Sequence, residues 1–162
     1  MKERQALVAE LVKDAIPVWA IAVVRLNKVV ADRLGVAESD VQCLHVLGRR
    51  GPATPGALAK EVNLTTGSAS RMIDRLVAAG CVRRVADPGD RRRVLIEPTQ
   101  DGLDRVSAAY AGLIARSEDA LGAFDEHALE AILQFVRSAE RDTTAEFRRL
   151  HTAPGPAEQE GS

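Results

Sequence analysis

Along the first part of the chain, apolar residues recur at the spacing of a helix. Val8, Leu11, Ala15, Trp19, Ala22, Val23, Leu26 and Val30 return every three or four positions. That pattern predicts a helix from about Glu3 to Arg33 with one apolar face. Pro17 lacks an amide hydrogen, so a kink or a division is expected there. Gly35 should end the element. A second helix is predicted from Ser39 to Leu47, with Val41, Leu44 and Leu47 on one side and Gly48, Gly51 and Pro52 closing it. Thr54-Pro55 then supplies a hydroxyl cap and a proline at the first helical position. The short helix that follows turns Leu58, Ala59 and Val62 inward, and Asn63 suits a left-handed cap.

Thr65 is expected to cap a further helix that ends at Gly80. Advancing 100° per residue, Ala69, Met72, Ile73 and Leu76 fall within about 60° of one another. Gly67, Ser68, Ser70, Arg71, Asp74 and Arg75 lie on the other side, so the polar face is small, hydroxylated and basic. Val82–Ala86 and Arg93–Glu97 are predicted strands, joined by the turn formers of Asp87-Pro88-Gly89-Asp90-Arg91-Arg92. Pro98 should stop the second strand and Thr99 cap a long helix, whose stripe is Leu103, Val106, Tyr110, Leu113, Ile114 and Leu121. Phe124, Asp125 and Leu129 fit a hydrophobic staple around an aspartate cap. The last helix carries Ile132, Leu133, Val136 and Phe147 to about Leu150. Residues 153–162 are rich in Pro, Gly and Glu, which predicts a disordered tail.

Two short helices, a tight connection, a polar-faced helix and a basic hairpin make a winged helix-turn-helix. The fold class is therefore mostly α with a small β-wing. The helix over 65–79 is suited to a major groove, because Thr65, Thr66, Ser68 and Ser70 are short and polar. Arg71 can donate twice to a guanine edge or anchor a phosphate, and Gly67 permits close backbone approach. Arg75 is a further contact or a support of the fold, and Asp74 is placed to pair with either arginine. The wing tip suits the narrower minor groove. There the Asp90 carboxylate is expected to aim the Arg92 guanidinium, with Arg91 and Arg93 turned toward phosphates. Of Arg83 and Arg84, one is expected to face solvent.

Charge strengthens that picture. The chain has 162 residues and a net charge of -1. Residues 49–93 hold ten basic and four acidic side chains, an excess of six, which leaves -7 for the rest. A basic middle between acidic ends points to a polyanion-binding module. The chain is 46% hydrophobic but has only five aromatic residues, which favours helices over a β-sandwich. Two cysteines, Cys43 and Cys81, make no disulfide framework, so a reducing, cytoplasmic setting is expected. Both take apolar slots and are expected to be buried and inert. Ala15–Val24 is ten apolar residues long, too short to span a bilayer, and its charged leader is balanced by acids. A buried helix is the better fit, with no membrane partner.

No Gly-rich phosphate loop, nucleophile triad or metal-ligand cluster is present, and His45, His127 and His151 are scattered. The chain is not expected to be an enzyme or to carry a metal or cofactor. The alternative to DNA binding is a winged-helix module that docks a protein on its basic face.

The stretch from Gly51 to Gly102 resembles the MarR family of bacterial transcription regulators. The matching runs are GPATPGALAKEV, NLTTGSASRMIDRLVAAGCVRR and DPGDRRRVLIEPTQDG. Most specific is Asp-Pro-x-Asp-Arg-Arg, a strand, then Thr-x-x-Gly. The resemblance implies a homodimer built by residues 1–34 and 99–150, a DNA-binding lobe over 36–98, and a tail over 151–162. It implies double-stranded DNA with a pseudo-palindromic operator as partner, and most often repression. It places the family's wing aspartate and arginine on Asp90 and Arg92. It also implies a small aromatic acid or phenol as candidate effector, with Trp19, Arg25, His45 and Tyr110 as candidate lining; dimer packing is the competing role for Trp19 and for Tyr110. Pro98 departs from the family's usual leucine and is expected to bend the strand-to-helix junction. Cys81 also stands where leucine is common.

Overall fold

The computed structural model describes residues 2–152, and the tail over 153–162 lies outside them. The chain divides into two compact units after Ala111.

The first unit opens with helix α1 (Lys2–Glu10), a π-helical stretch (Leu11–Ala15) and helix α2 (Ile16–Leu34). The expected division at Pro17 is a change of helix type, not a break. The Ile16 amide donates to the Leu11 carbonyl, five residues back. A wider turn thus lies just before the proline ring, where ordinary helical bonding is lost. Gly35 ends α2 at φ +70°, in the left-handed region.

Helix α3 (Glu38–Arg50) is longer than its pattern predicts, because Gly48 sits inside it. Gly51, at φ +79°, ends it instead. Helix α4 (Pro55–Glu61) begins where Thr54 Oγ1 accepts the Ala57 amide at 3.2 Å. Asn63 adopts φ +52°, as its cap role requires. Helix α5 (Thr66–Ala78) begins at Thr65, whose Oγ1 accepts the Ser68 amide at 3.2 Å. These helices close around Val30, Ala31, Leu34, Val41, Cys43, Leu44, Leu47, Leu58, Met72, Ile73 and Leu76, which form one buried cluster.

Strands β1 (Val82–Ala86) and β2 (Val94–Pro98) pair antiparallel, with Val82 opposite Pro98 and Ala86 opposite Val94. The second strand lies one residue later than predicted. Proline can end a strand at a sheet edge, and Arg93 is drawn into the turn by donating to the Asp90 carbonyl at 2.8 Å. Ala53 bridges to Ile96 by two backbone bonds of 3.1 and 2.8 Å, which tie the α3–α4 connection to the wing.

Helix α6 (Gln100–Leu121) follows through a tight junction. Thr99 donates its hydroxyl to the Gly80 carbonyl at 2.6 Å and accepts the Gly102 amide at 3.0 Å. A Cβ at Gly102 would meet the Cys81 carbonyl oxygen at 2.5 Å. The Thr-x-x-Gly spacing is therefore a packing requirement: the threonine clamps the junction, and the glycine lets the helix rest on the Cys81 backbone.

The second unit contains the end of α6 and helix α7 (Glu126–Thr152), which Asp125 caps by accepting the Ala128 amide at 2.8 Å. Helix α7 extends two residues beyond Leu150. No helix among the described residues is long and apolar enough to cross a membrane.

Candidate nucleic-acid interface

Helix α5 turns Ala69, Met72, Ile73 and Leu76 into the core and leaves Thr66, Gly67, Ser70 and Arg71 exposed. Along its outer edge Thr65 donates to the Ser68 hydroxyl at 3.1 Å, and Arg71 Nη2 donates to the same oxygen at 3.2 Å. The cap, the half-buried serine and the arginine are thus joined in one line. A Cβ built on Gly67 meets no atom within 4 Å, so the fold itself does not require glycine there.

Arg75 has a different role. Its Nε and Nη2 donate to the two carboxylate oxygens of Asp40 at 2.8 and 2.6 Å. Asp40 is completely buried at the start of α3, whereas the Arg75 side chain is 44% exposed. The carboxylate also accepts the Ala37 amide at 3.0 Å and the Ser39 hydroxyl at 3.1 Å. A buried charge is tolerated because donors surround it. The Asp40 hydrogen bond pushes the Arg75 pKa upward, so the guanidinium stays charged. Sequence reasoning missed Asp40. The available signal was an acid beside Val41 on the core-facing side of an amphipathic helix.

The wing is built by local bonds. Asp87 Oδ1 accepts the Gly89 amide at 2.9 Å, and Asp90 Oδ1 accepts the Arg92 amide at 3.0 Å. Two successive aspartate turns therefore shape the tip. Asp90 holds the backbone of Arg92, which corrects the expectation that it grips the guanidinium. Asp74 pairs with Arg84 on β1 at 2.7 Å, not with Arg71 or Arg75. Arg83 pairs with Glu97, directly opposite on β2, at 2.8 Å. Both strand arginines are exposed but partnered. Arg50 is paired with Glu61, and Arg93 lies 3.9 Å from Asp87. Asp90, Arg91, Arg92 and Arg93 are all exposed at the tip.

The candidate effector residues are only partly brought together. The rings of His45 and Tyr110 lie 5.3 Å apart and tilted by 56°. The Tyr110 hydroxyl donates to Asn27 Oδ1 at 2.6 Å. Loss of water contact lowers the His45 pKa and raises that of Tyr110. Trp19 is 63% exposed on α2, and Arg25 is exposed on the same helix. An open groove of about 280 Å³ lies elsewhere in this unit, lined by Arg33, Leu34, Arg105, Ala108 and Ala109. Arg105 is committed there to the carbonyls of Ala79 at 2.9 Å and Leu34 at 3.3 Å. Cys43 and Cys81 are both buried free thiols. Burial, with the nearby Asp40 charge, pushes the Cys43 thiol up to about 12, and burial also raises Cys81.

Comparison with known proteins agrees with this architecture. Residues 34–93 match the family model described as MarR family. The HTH-type transcriptional regulator YcgE of Bacillus subtilis is 33% identical over 145 residues, which cover 88% of this chain and 94% of that protein. The HTH-type transcriptional repressor NicR of Pseudomonas putida is 30% identical over 94 residues, covering 58% of this chain and 60% of NicR. A MarR family protein of Bacillus stearothermophilus has a similar fold, with a TM-score of 0.63 at 21% identity, covering 89% of this chain and 99% of its own. YcgE and NicR are both named as HTH-type transcriptional regulators or repressors. A four-helix core, a capped polar-faced helix and a basic wing, matched over almost the whole length of a regulator, lead to one conclusion: the chain belongs to the MarR family of DNA-binding transcription regulators.

Proposed function

We propose that the protein acts as a homodimeric repressor that binds a pseudo-palindromic operator, with α5 in the major groove and the wing tip in the minor groove. The observation that carries the proposal is how the arginines are sorted. Arg50, Arg75, Arg83 and Arg84 each face a carboxylate of the same chain. Arg71, Arg91 and Arg92 have no carboxylate partner among the described residues, and they occupy the helix face and the wing tip. Unpaired arginines at two projecting points suit two neighbouring grooves of a duplex. Thr66 and Ser70 add short polar groups beside Arg71 without obstructing approach.

Dimerisation is supported by apolar surface left exposed among the described residues. Helices α1 and α2 expose Leu7, Val18, Trp19, Ile21 and Val24, and α7 exposes Leu133, Phe135 and Val136. Each is about half exposed, so covering the remainder contributes roughly 1 kcal/mol apiece. A second copy has the same faces to offer. The repressor role is supported by the name of the relative NicR. For an effector, the His45–Tyr110 pair with Asn27 offers a ring edge and polar groups to an aromatic acid or phenol, and release would require that ligand to prefer a geometry that misplaces α5.

The test is fluorescence anisotropy on a duplex selected from random sequence, with Arg71→Ala and Arg92→Ala. Each should weaken binding about tenfold or more while the circular dichroism spectrum is unchanged. Unaltered affinity and base preference in both variants would remove α5 and the wing from the interface.

A further inference from the structure

We propose that Asp40 is a positioning residue for DNA readout: through Arg75 it fixes the roll of α5 about its own axis, and with it the aim of Thr66, Ser70 and Arg71. The inference rests on the DNA-binding function proposed above.

Helix α5 meets the core through Ala69, Met72, Ile73 and Leu76, an apolar stripe whose attraction has no direction of its own. Rolling a helix of ~5–6 Å outer radius by about 20° moves its side-chain tips about 2 Å. That exceeds the tolerance of a hydrogen bond to a base edge, whose donor–acceptor range is only about 0.5 Å wide. A directional contact is therefore needed, and the two-pronged Arg75–Asp40 bond is one. Arg75 lies one turn beyond Arg71, on the same edge of the helix that Thr65 and Ser68 join by hydrogen bonds.

The other end of the device is also anchored. Asp40 accepts the Ala37 amide and the Ser39 hydroxyl at the start of α3, which begins three residues after the left-handed turn at Gly35 that ends α2. Four donors hold the carboxylate, and it is fully buried, so it has no freedom to follow a rolling helix. The orientation of α5 is thereby referred to the α2–α3 junction through a single side chain.

The test compares the full-length protein with Asp40→Asn, Arg75→Gln and the double variant. The probes are a duplex selected from random sequence by the parent protein and a scrambled duplex, each titrated across a range of salt. Asp40→Asn should lower the ratio of selected to scrambled affinity about tenfold, with scrambled binding unchanged or tighter. Arg75→Gln should lose selectivity likewise yet keep the parent's slope of log affinity against log salt. The double variant restores a neutral hydrogen-bonding pair without a buried charge, so it should fold and recover part of the selectivity; it also decides the matter if Asp40→Asn does not fold. Selectivity equal to the parent's in folded Asp40→Asn or Arg75→Gln would overturn the inference. So would a salt slope reduced by about 0.9 in Arg75→Gln with equal losses on both duplexes, the mark of a lost phosphate contact. If Asp40→Asn does not fold, a double variant no more selective than Arg75→Gln overturns it too. A parent protein that enriches no sequence would instead overturn the DNA-binding function, and the inference with it.

Discussion

Helices α3 and α7 both carry an amphipathic pattern, yet among the described residues only α3 buries its apolar face. Thirteen-residue α3 buries Asp40, Val41, Cys43, Leu44 and Leu47. In α7, twice as long, Leu133, Phe135, Val136, Phe147 and Leu150 are all exposed. A stripe in a sequence states that a face will be covered, not what covers it. The helices around α3 form a filled core that holds α5 and the wing, whereas the apolar face of α7 stays exposed among the described residues.

The largest effect is expected on α7. Leu129→Asp with Leu133→Asp places two charges one turn apart on the uncovered stripe. Light scattering should then give a monomer, with operator binding lost and the helical spectrum of the 36–98 lobe largely kept. An unchanged dimer mass would show that this stripe faces water. Next in size is Leu44→Ala on α3. It should lower stability by about 2–5 kcal/mol, measured by denaturant unfolding, through loss of packing in a filled core. A loss below about 1 kcal/mol would mean that the cluster around Leu44 is loosely packed.

Much of the first unit was legible because its signals are local. Thr54, Thr65, Gly35, Asn63 and Gly80 each act within one turn of backbone, so hydroxyl caps and left-handed positions predicted the element boundaries closely. The boundaries that moved depended on more distant neighbours. Gly48 stays helical, with the α6 residue Leu103 packed near it at 3.6 Å from a built Cβ. Pro98 joins the ladder because Val82 stands opposite. Side-chain pairing was least legible. Asp74 has Arg71 and Arg75 within one turn, yet it bonds Arg84, ten residues away. Arg75 finds Asp40 across 35 residues. Such choices belong to the packing of α3, α5 and β1 and leave no mark in local spacing.

Smaller effects are expected at Gly67 on the exposed face of α5 and at Cys43 in the core. Gly67→Ala fills open space, so the melting temperature should hold or rise slightly. Operator affinity should nevertheless fall several-fold, because the added methyl keeps the α5 backbone from the duplex; full retention of affinity would remove Gly67 from the interface. Smallest is the effect at Cys43. Its thiol, pushed up to about 12, stays protonated at neutral pH, so the native protein should resist a maleimide reagent at pH 7 and react only on unfolding. Rapid native labelling at Cys43, located by mass spectrometry, would contradict its place in the core.

The most direct test of a dimer that reads DNA through α5 and the wing is selection from a random duplex library with the full-length protein. The recovered sequences should align as an inverted repeat with half-sites about one helical turn apart, roughly 10 base pairs centre to centre. Enrichment of a single unrepeated site, or none, would contradict it.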